Sequence, residues 1–488
     1  MLARVVGSGI AGIASSIRLA AKGYDVHVHE ANSYLGGKLT AFAQEGFRFD
    51  AGPSLFTMPF LVDELFELAE KNPLDYFEYQ RLDKTCHYFW EDGLVIHGHA
   101  KPTDFAQEVE SKLGVNQQVI LDFLEHSALL YNKTAPVFLE RSLHVWKNYF
   151  TAEVWEAFKH VHQLNLTSTM NQVHQSKLKE PHLVQLFNRF ATYNGSNPYK
   201  APGVLSIIPH LEHNQGAYFP KGGMHSITQS LVKLAQDLGV TFHLNQRVQQ
   251  IEVENDRATG IVVDDKLLPA DLVFSNMDVV PTYCKLMPNQ QAPERTLKQE
   301  RSSSALIFYW GMEGLYPELD VHNILFSDRY QEEFKSLFED FELFEDPTVY
   351  IHISSKVEKQ DAPEGCENWF VMINVPGKGE MDWETLILIA KSRIISKIER
   401  ILQKEIASKI QNESVLHPGL IEQRTSSYQG ALYGSSSNNA FSAFWRHPNF
   451  SQKIRGLYFC GGSVHPGGGI PLCLLSAKIA TGLVSAHS

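Results

Sequence analysis

Three features of the chain predict an α/β fold in which a discontinuous, Rossmann-like dinucleotide-binding domain carries an inserted α+β domain. Gly7-x-Gly9-x-x-Gly12 lies between two short apolar segments near the N-terminus. A second glycine-rich stretch, Gly461-Gly462 and Gly467-Gly468-Gly469, opens an amphipathic segment near the C-terminus, and long aromatic-rich stretches separate the two. Strand, glycine turn, helix, strand and terminal acid fall in the order a pyrophosphate cradle requires.

Leu2 to Val6 reads as a short buried strand. Gly7 and Gly9 let the chain turn tightly and bring bare backbone against a pyrophosphate, and Gly12 allows close helix-to-strand packing. Ile10, Ile13, Ala14, Ile17 and Ala21 recur at helical spacing, so one stripe packs on the sheet while the first backbone amides point at phosphates. Gly23 ends this helix as a left-handed cap. Tyr24 to Glu30 then alternates, with Val26 and Val28 inward, and delivers the Glu30 carboxylate to the strand's C-terminal edge, where it can accept from ribose hydroxyls. Gly36-Gly37-Lys38 and Asp50-Ala51-Gly52-Pro53 extend the run and point to flavin rather than nicotinamide.

Further along, Gly222-Gly223 precedes a helix with Ile227, Leu231, Leu234 and Leu238 on one stripe. Strands follow at Val240 to Leu244, Val248 to Val253, Gly260 to Val263 and Leu272 to Ser275, a block expected to return and extend the first sheet. Gly456 to Cys460 reads as the last strand, and Pro471 opens a helix with Leu472, Leu475, Ile479 and Leu483 on one face. The dinucleotide domain is therefore expected in three pieces, 1–70, 215–285 and 450–488. Between them, 71–214 reads as mostly helical and rich in aromatics, including Trp146, Tyr149, Phe150, Trp155 and Phe158. Residues 286–449 carry strands at Ala305 to Trp310, Thr348 to Ile353 and Trp369 to Val375, then a helix from about Trp383 to Ile410. The two insertions are read as one substrate-binding domain with apolar walls.

The net charge of −12 disfavours nucleic acid, whose phosphates call for clustered Lys and Arg. Five scattered cysteines without a C-x-x-C suggest neither a disulfide framework nor a zinc site, and read as an intracellular, cytoplasmic chain. Twenty-one histidines include the pairs His97-x-His99, His160-x-His162 and His210-x-x-His213. None is joined by carboxylates or cysteines at a recurring ligand spacing, so no metal is expected. With the first strand beginning at Leu2 no leader is expected ahead of it, and no apolar run is long enough to span a bilayer.

At this point a resemblance becomes specific. The N-terminal run, the Gly222-Gly223 helix, the strands to Ser275 and the ending Gly456-Leu-Tyr-Phe-Cys-Gly-Gly-Ser-Val-His-Pro-Gly-Gly-Gly-Ile-Pro resemble the bacterial phytoene desaturase family of FAD-dependent carotenoid enzymes, over essentially the whole chain. Phe49 to Pro59, Ala191 to Pro198 and Ser302 to Trp310 look most like its 1-hydroxycarotenoid 3,4-desaturase subgroup. The resemblance implies that Gly7, Ser8, Gly9, Ile10, Ala11 and Gly12 cradle the FAD pyrophosphate, Glu30 binds the adenosine ribose, and Gly37 with Lys38 runs along the flavin side. Gly52, Pro53, Ser54 and Leu55 would sit near the isoalloxazine, Val248 would present its backbone to adenine, and Asn276 would lie near the nucleotide. Gly462, Ile470, Pro471 and Leu472 would hold the ribityl chain and ring. Leu472 and Ala477 stand where that family commonly has glycine, which puts backbone detail near the ring in question.

The implied reaction removes a hydride and a proton from adjacent carbons of a forty-carbon polyene, with flavin as hydride acceptor and oxygen or a quinone as the terminal acceptor. No residue is assigned as the base. Arg189 and Tyr193 are candidates to recognise the substrate hydroxyl, against the alternatives of a surface ion pair and a core tyrosine. His465, beside the C-terminal glycines, is a further candidate to face the substrate, against a structural role. A polyene insoluble in water implies peripheral membrane contact. The stretch Leu121 to Phe150 is read either as a surface that dips into headgroups or as an internal helical core. Two rivals share the architecture: an amine or protoporphyrinogen oxidase, whose C-terminal cofactor loop usually carries an acid where this chain has Gly461-Gly462, and a non-catalytic isoprenoid carrier of the prenyl-protein dissociation-inhibitor type.

Overall fold

In the computed structural model, Leu2–Val6 is the central strand of a five-stranded parallel sheet, in the order Leu457–Phe459, Leu272–Ser275, Leu2–Val6, Asp25–His29, Thr241–His243. The structure describes residues 1–151, 154, 163–377, 382–439, 442 and 444–484; Trp155, Phe158, His160 and His162 lie outside the described residues. Three distant stretches of chain thus build one sheet. The helix Ile10–Ala21 is buried from Ile10 to Leu19 and packs in one core with Leu61 and Leu65, with Ile227 and Leu231, and with Leu474 and Ala477, which is why it is apolar nearly all round. Gly23 ends it at a φ of 84°.

Between Thr241–His243 and Leu272–Ser275 the chain does not extend that sheet as expected. Val248–Glu254, Arg257–Val263 and Lys266–Pro269 form a separate antiparallel sheet of three strands. The turn chemistry explains the difference: Asn255 and Asp256 have φ of 49° and 57°, as do Asp264 and Asp265, and paired positive φ values fold a strand straight back on its neighbour.

The two insertions share a seven-stranded sheet in the order Ile410–Leu416, Ser304–Glu313, Cys366–Val375, Val349–His352, His322–Leu325, Lys84–Phe89, Val95–His99. The 71–214 region therefore supplies two strands to this sheet as well as helices. The long helix is Trp383–Leu402, shorter than expected: Gln403 takes the left-handed conformation at φ 52°, and Ile410–Leu416 leaves as a strand paired with Ser304–Glu313. Alternation along the strands gives the sheet two apolar faces. Leu306, Phe308, Trp310, Ile351, Val371 and Ile373 pack with Ala390, Ile394 and Ile398 of that helix. The opposite face, carrying Ile307, Tyr350, Phe370 and Met372, is left to line a cavity.

Leu121 to Phe150 divides between the two readings given to it. In the helix Gln117–Phe138, Ile120, Phe123, Leu124, Leu130 and Tyr131 are buried, whereas Trp146 and Phe150 are 74% and 65% exposed. No helix among the described residues is long and apolar enough to cross a membrane.

A Cβ on Gly12 would lie 2.3 Å from the Gly7 carbonyl oxygen and 3.0 Å from Asn276 Oδ1, both held by the sheet, so Gly12→Ala should cost about 1–3 kcal/mol of stability. A Cβ on Gly482, at the end of the last helix, would meet nothing within 4 Å, and Gly482→Ala should be neutral or slightly stabilising. Thermal melts of both variants by circular dichroism check the contrast; equal midpoints would contradict it.

Candidate active site

One continuous cavity of ≈ 500 Å³ runs between the dinucleotide sheet and the inner face of the seven-stranded sheet. Its first part is built by helix ends. Gly9 is the N-cap of Ile10–Ala21 and Gly469 that of Ile470–Gly482, and neither helix has a side-chain cap. Their leading amides are therefore available to an anion, and residues from both ends line the same wall. A Cβ on Gly9 would approach Asn276 Oδ1 to 2.6 Å, and one on Gly52 would meet the Lys38 carbonyl oxygen at 1.9 Å, so these approaches demand glycine.

Of the residues expected to hold the dinucleotide, Gly7, Ser8, Gly9, Ile10, Ala11, Glu30, Gly37, Lys38, Gly52, Pro53, Ser54, Leu55, Val248, Asn276, Gly462, Ile470 and Pro471 all line this cavity. Gly12 lies behind the wall against Gly7, and Leu472 is off it, with Cys473 lining in its place. Glu30 is pinned at the edge: its Oε2 accepts from Ser8 N at 2.9 Å and Ser8 Oγ at 2.7 Å, and its Oε1 accepts from Asn32 N at 2.8 Å and Asn32 Nδ2 at 2.9 Å. Lys38 Nζ donates to the carbonyls of Ala431 and Leu432 at 3.1 and 3.0 Å, and burial pushes its ammonium down to about 8, with Asp278 pulling the other way. Buried Arg446 ties down the C-terminal glycine loop by donating to the carbonyls of Tyr433 at 2.9 Å and Gly462 at 3.4 Å. Uncapped helix ends, an acid at the second strand and three glycine contacts on one wall fit a dinucleotide of the FAD kind.

The rest of the wall carries apolar Ile307, Ile324, Phe334, Phe370, Met372 and Leu416, the pair Glu333 and Thr348, and a polar cluster around Glu212. Arg189 and Tyr193 belong to it. Arg189 is neither on the surface nor free: its Nη2 donates to Glu212 Oε1 and Oε2 at 2.7 and 2.8 Å, and to the Tyr88 hydroxyl at 2.5 Å. Tyr193 donates to Glu212 Oε2, and Thr85 Oγ1 donates to Glu212 Oε1 at 2.9 Å. Burial by itself would raise the Glu212 carboxyl; Arg189 outweighs it, with help from the Tyr193 hydrogen bond, and holds the group down at about 2. Burial and the Glu212 charge push the Tyr193 hydroxyl well above its ordinary value, so it remains a donor. Arg189, Tyr193 and Glu212 all line the cavity.

Two further wall residues, Tyr350 and His322, carry no sequence motif. Tyr350 shares hydrogen bonds of 2.7 Å with Ser54 Oγ and with His322 Nδ1. His322 lies opposite His352 in the strand pairing, with ring centroids 4.9 Å apart. Tyr350 meets Ser54, and Glu212 meets Arg189, only through the fold, and neither spacing nor periodicity marks Glu212 or His322.

His465 is off the cavity wall: buried, with Nε2 2.8 Å from the Arg141 carbonyl, it has a structural role and is not brought to the substrate side. His97 and His99 are joined by Glu108, which spacing does not anticipate, at 2.8 and 2.5 Å, and the Lys112 ammonium sits 2.9 Å from the same carboxylate as its counter-cation. His210 and His213 do not converge: His210 pairs with Asn214 and Gln215, while the His213 ring packs against Phe105 and Phe187.

The model of the flavin containing amine oxidoreductase family matches residues 10–292. A 1-hydroxycarotenoid 3,4-desaturase of Flavobacterium sp. (strain P99-3) is 51% identical over 98% of this chain and 98% of its own. A 4,4'-diapolycopene oxygenase of Methylomonas sp. is 31% identical over 97% and 96%. Among solved structures, an oxidoreductase from Methanosarcina mazei superposes with a TM-score of 0.65 at 15% identity, covering 100% of both chains. A putrescine oxidase superposes with a TM-score of 0.64 at 12% identity over 100% of both chains; at such identities the likeness concerns the fold. The glycine cradle, the acid at the second strand and these matches lead to one conclusion: the chain belongs to the flavin containing amine oxidoreductase family and is an FAD-dependent oxidoreductase.

Proposed function

We propose that the chain is a carotenoid desaturase that forms the C3–C4 double bond of a 1-hydroxycarotenoid. The observation that carries this reading is 51% identity, with 98% coverage on both sides, to a relative of that printed name. The cavity supports it, since a wall with Ile307, Ile324, Phe370, Met372 and Leu416 beside a buried polar cluster at Glu212 suits a long hydrocarbon bearing a hydroxyl.

FAD, when bound, supplies the hydride acceptor. The chain's own residues bind, orient and exclude water. Gly52 to Leu55 bring backbone and the Ser54 hydroxyl to the junction between cofactor cradle and channel, and Phe370, Met372 and Ile307 hold the polyene away from solvent. The hydroxyl-bearing carbon is only two bonds from C3 and three from C4, so its recognition site must lie close to the reacting carbons. The Glu212 cluster is the candidate, since Glu212, Arg189 and Tyr193 share one cavity wall with Ser54 and Leu55. Glu212 is the acceptor for the substrate hydroxyl, Tyr193 and Thr85 hold its carboxylate in place, and Arg189 keeps it charged. The membrane contact is assigned to Trp146–Tyr149 and Phe150, where exposed aromatics flank Lys147.

Expression in cells that accumulate either 1-hydroxycarotenoids or phytoene tests the substrate: pigments should shift to longer wavelength in the first and stay unchanged in the second. Desaturation of phytoene alone would sink the hydroxycarotenoid assignment. Glu212→Gln strands the Arg189 charge in the interior and should cost about 3–5 kcal/mol of stability. The same carboxylate makes stability depend on pH. Its contribution is present in full above its ordinary value of 4.5 and lost as pH falls towards about 2, so acid melts of Glu212→Gln should lack that limb. Replacing Trp146 and Phe150 together by alanine should reduce co-flotation with liposomes at least severalfold, and unchanged flotation would remove this segment from the membrane contact.

A further inference from the structure

His97, His99 and Glu108 meet away from the flavin site, and none of the three lines the cavity. Burial alternates along the strand Val95–His99, with Ile96 and Gly98 turned inward, so His97 and His99 share the other face. Only Ala100 and Lys101 separate this strand from the helix Pro102–Leu113, whose Phe105, Ala106 and Val109 are buried. The short link and that packing hold Glu108 against the two imidazoles. Among the described residues Val95–His99 is also the outermost strand of the seven-stranded sheet, with a neighbouring strand on one side alone.

His97 Nδ1 lies 2.8 Å from Glu108 Oε1 and His99 Nε2 lies 2.5 Å from Oε2, and one ligand atom from each of the three residues falls within 4.8 Å of the others. Two imidazoles and a carboxylate are the donor set of three-ligand zinc sites, where water fills the fourth position. Bonds of about 2.0–2.1 Å at tetrahedral angles put ligand atoms roughly 3.3 Å apart, so these contacts have to open by less than about 1 Å. A neutral imidazole moves its one proton to the other ring nitrogen and frees the nitrogen that faces Glu108. The side chains of His97, His99 and Glu108 are 28, 26 and 13% exposed, which lets an ion and its water arrive from solvent. Imidazole donors suit zinc, copper and nickel, whereas magnesium and calcium take shells of oxygen.

Lys112 competes for the same carboxylate. One turn beyond Glu108, its ammonium sits 2.9 Å from Oε1 and also donates to the Val95 carbonyl. The lysine side chain is 35% exposed on a flexible four-carbon stem, so it swings into solvent when a dication arrives, at a cost in affinity.

We propose that His97, His99 and Glu108 bind a divalent transition metal of the zinc type, which displaces the Lys112 ammonium and clamps the outermost strand of the sheet to the helix that follows it. The site is separate from the desaturase reading and does not depend on it.

Calorimetric titration of zinc chloride into FAD-loaded protein freed of metal by a chelator, with thermal melts beside it, tests this. Wild type should bind zinc with micromolar or tighter affinity and melt at a higher temperature with zinc than without, while millimolar magnesium should change neither. His99→Ala and Glu108→Gln should each weaken that binding by at least roughly tenfold, the lower end of what loss of even an outer partner costs a metal site. Zinc held by other histidines of the chain would be untouched by these variants. Lys112→Met keeps all three ligands and removes the competitor, so it should tighten binding at least severalfold and carries the test if a ligand variant does not fold. Wild-type affinity no better than millimolar, binding unchanged by both His99→Ala and Glu108→Gln, or Lys112→Met binding no tighter than wild type would overturn the site.

Discussion

The parallel pairing of Leu2–Val6 with Leu272–Ser275 is the constraint on which the rest depends. It joins residues some 270 positions apart, and Leu457–Phe459 then adds to the far side of the same strand. Until those strands meet, the two helix N-termini at Gly9 and Gly469 do not share a wall, and neither glycine stretch is more than a turn. Once they meet, everything between them is held as two long excursions whose ends are fixed, and those excursions have to pack against each other. They do so by sharing one sheet, with Lys84–Phe89 from the first pairing beside His322–Leu325 from the second. The cavity is the space left between the two sheets.

Local chemistry decides how much of this is legible in the sequence. The cofactor cradle uses glycines, a short strand and an acid within a few dozen residues, so it can be read from Gly7 to Pro53, and seventeen of the named residues reach one wall. The separate antiparallel sheet departs from the expected extension because the paired positive φ values at Asn255–Asp256 and Asp264–Asp265 count for more than strand density. The helix beginning at Trp383 ends short of its expected length for a similar reason, since apolar residues continue past the left-handed stop at Gln403 into a strand. The substrate wall is the least legible part. Arg189 stands out as a candidate, but its partner Glu212 is 23 residues away on another element, and Tyr350 meets Ser54 from 296 residues away. Such contacts follow from sheet register, which no single-chain pattern records.

The polar cluster has an electrostatic logic tied to its burial. A lone carboxylate at Glu212 would be driven neutral, and a lone guanidinium at Arg189 would be costlier still. Together, with Tyr88, Tyr193 and Thr85 donating to the carboxylate or accepting from the guanidinium, they stay charged in an apolar channel. A buried pair competes poorly with well-packed hydrocarbon in stability, and in the function proposed above its value is to offer a charged acceptor to a substrate hydroxyl. On that reading, such an anchor would fix the register of the polyene. A chain with no such anchor could slide along Phe370 and Met372 at almost no cost.

On the same reading, register decides which carbons face the oxidant, and the chemistry then asks little of the group that takes the proton. Loss of hydride beside a conjugated chain leaves positive charge spread along it, and the adjacent C–H becomes strongly acidic, so position counts for more than basicity. A buried anion stays charged on this wall where a cation compensates it, as Arg189 does for Glu212. The same low polarity that hides the substrate from water therefore limits the charges the wall can carry.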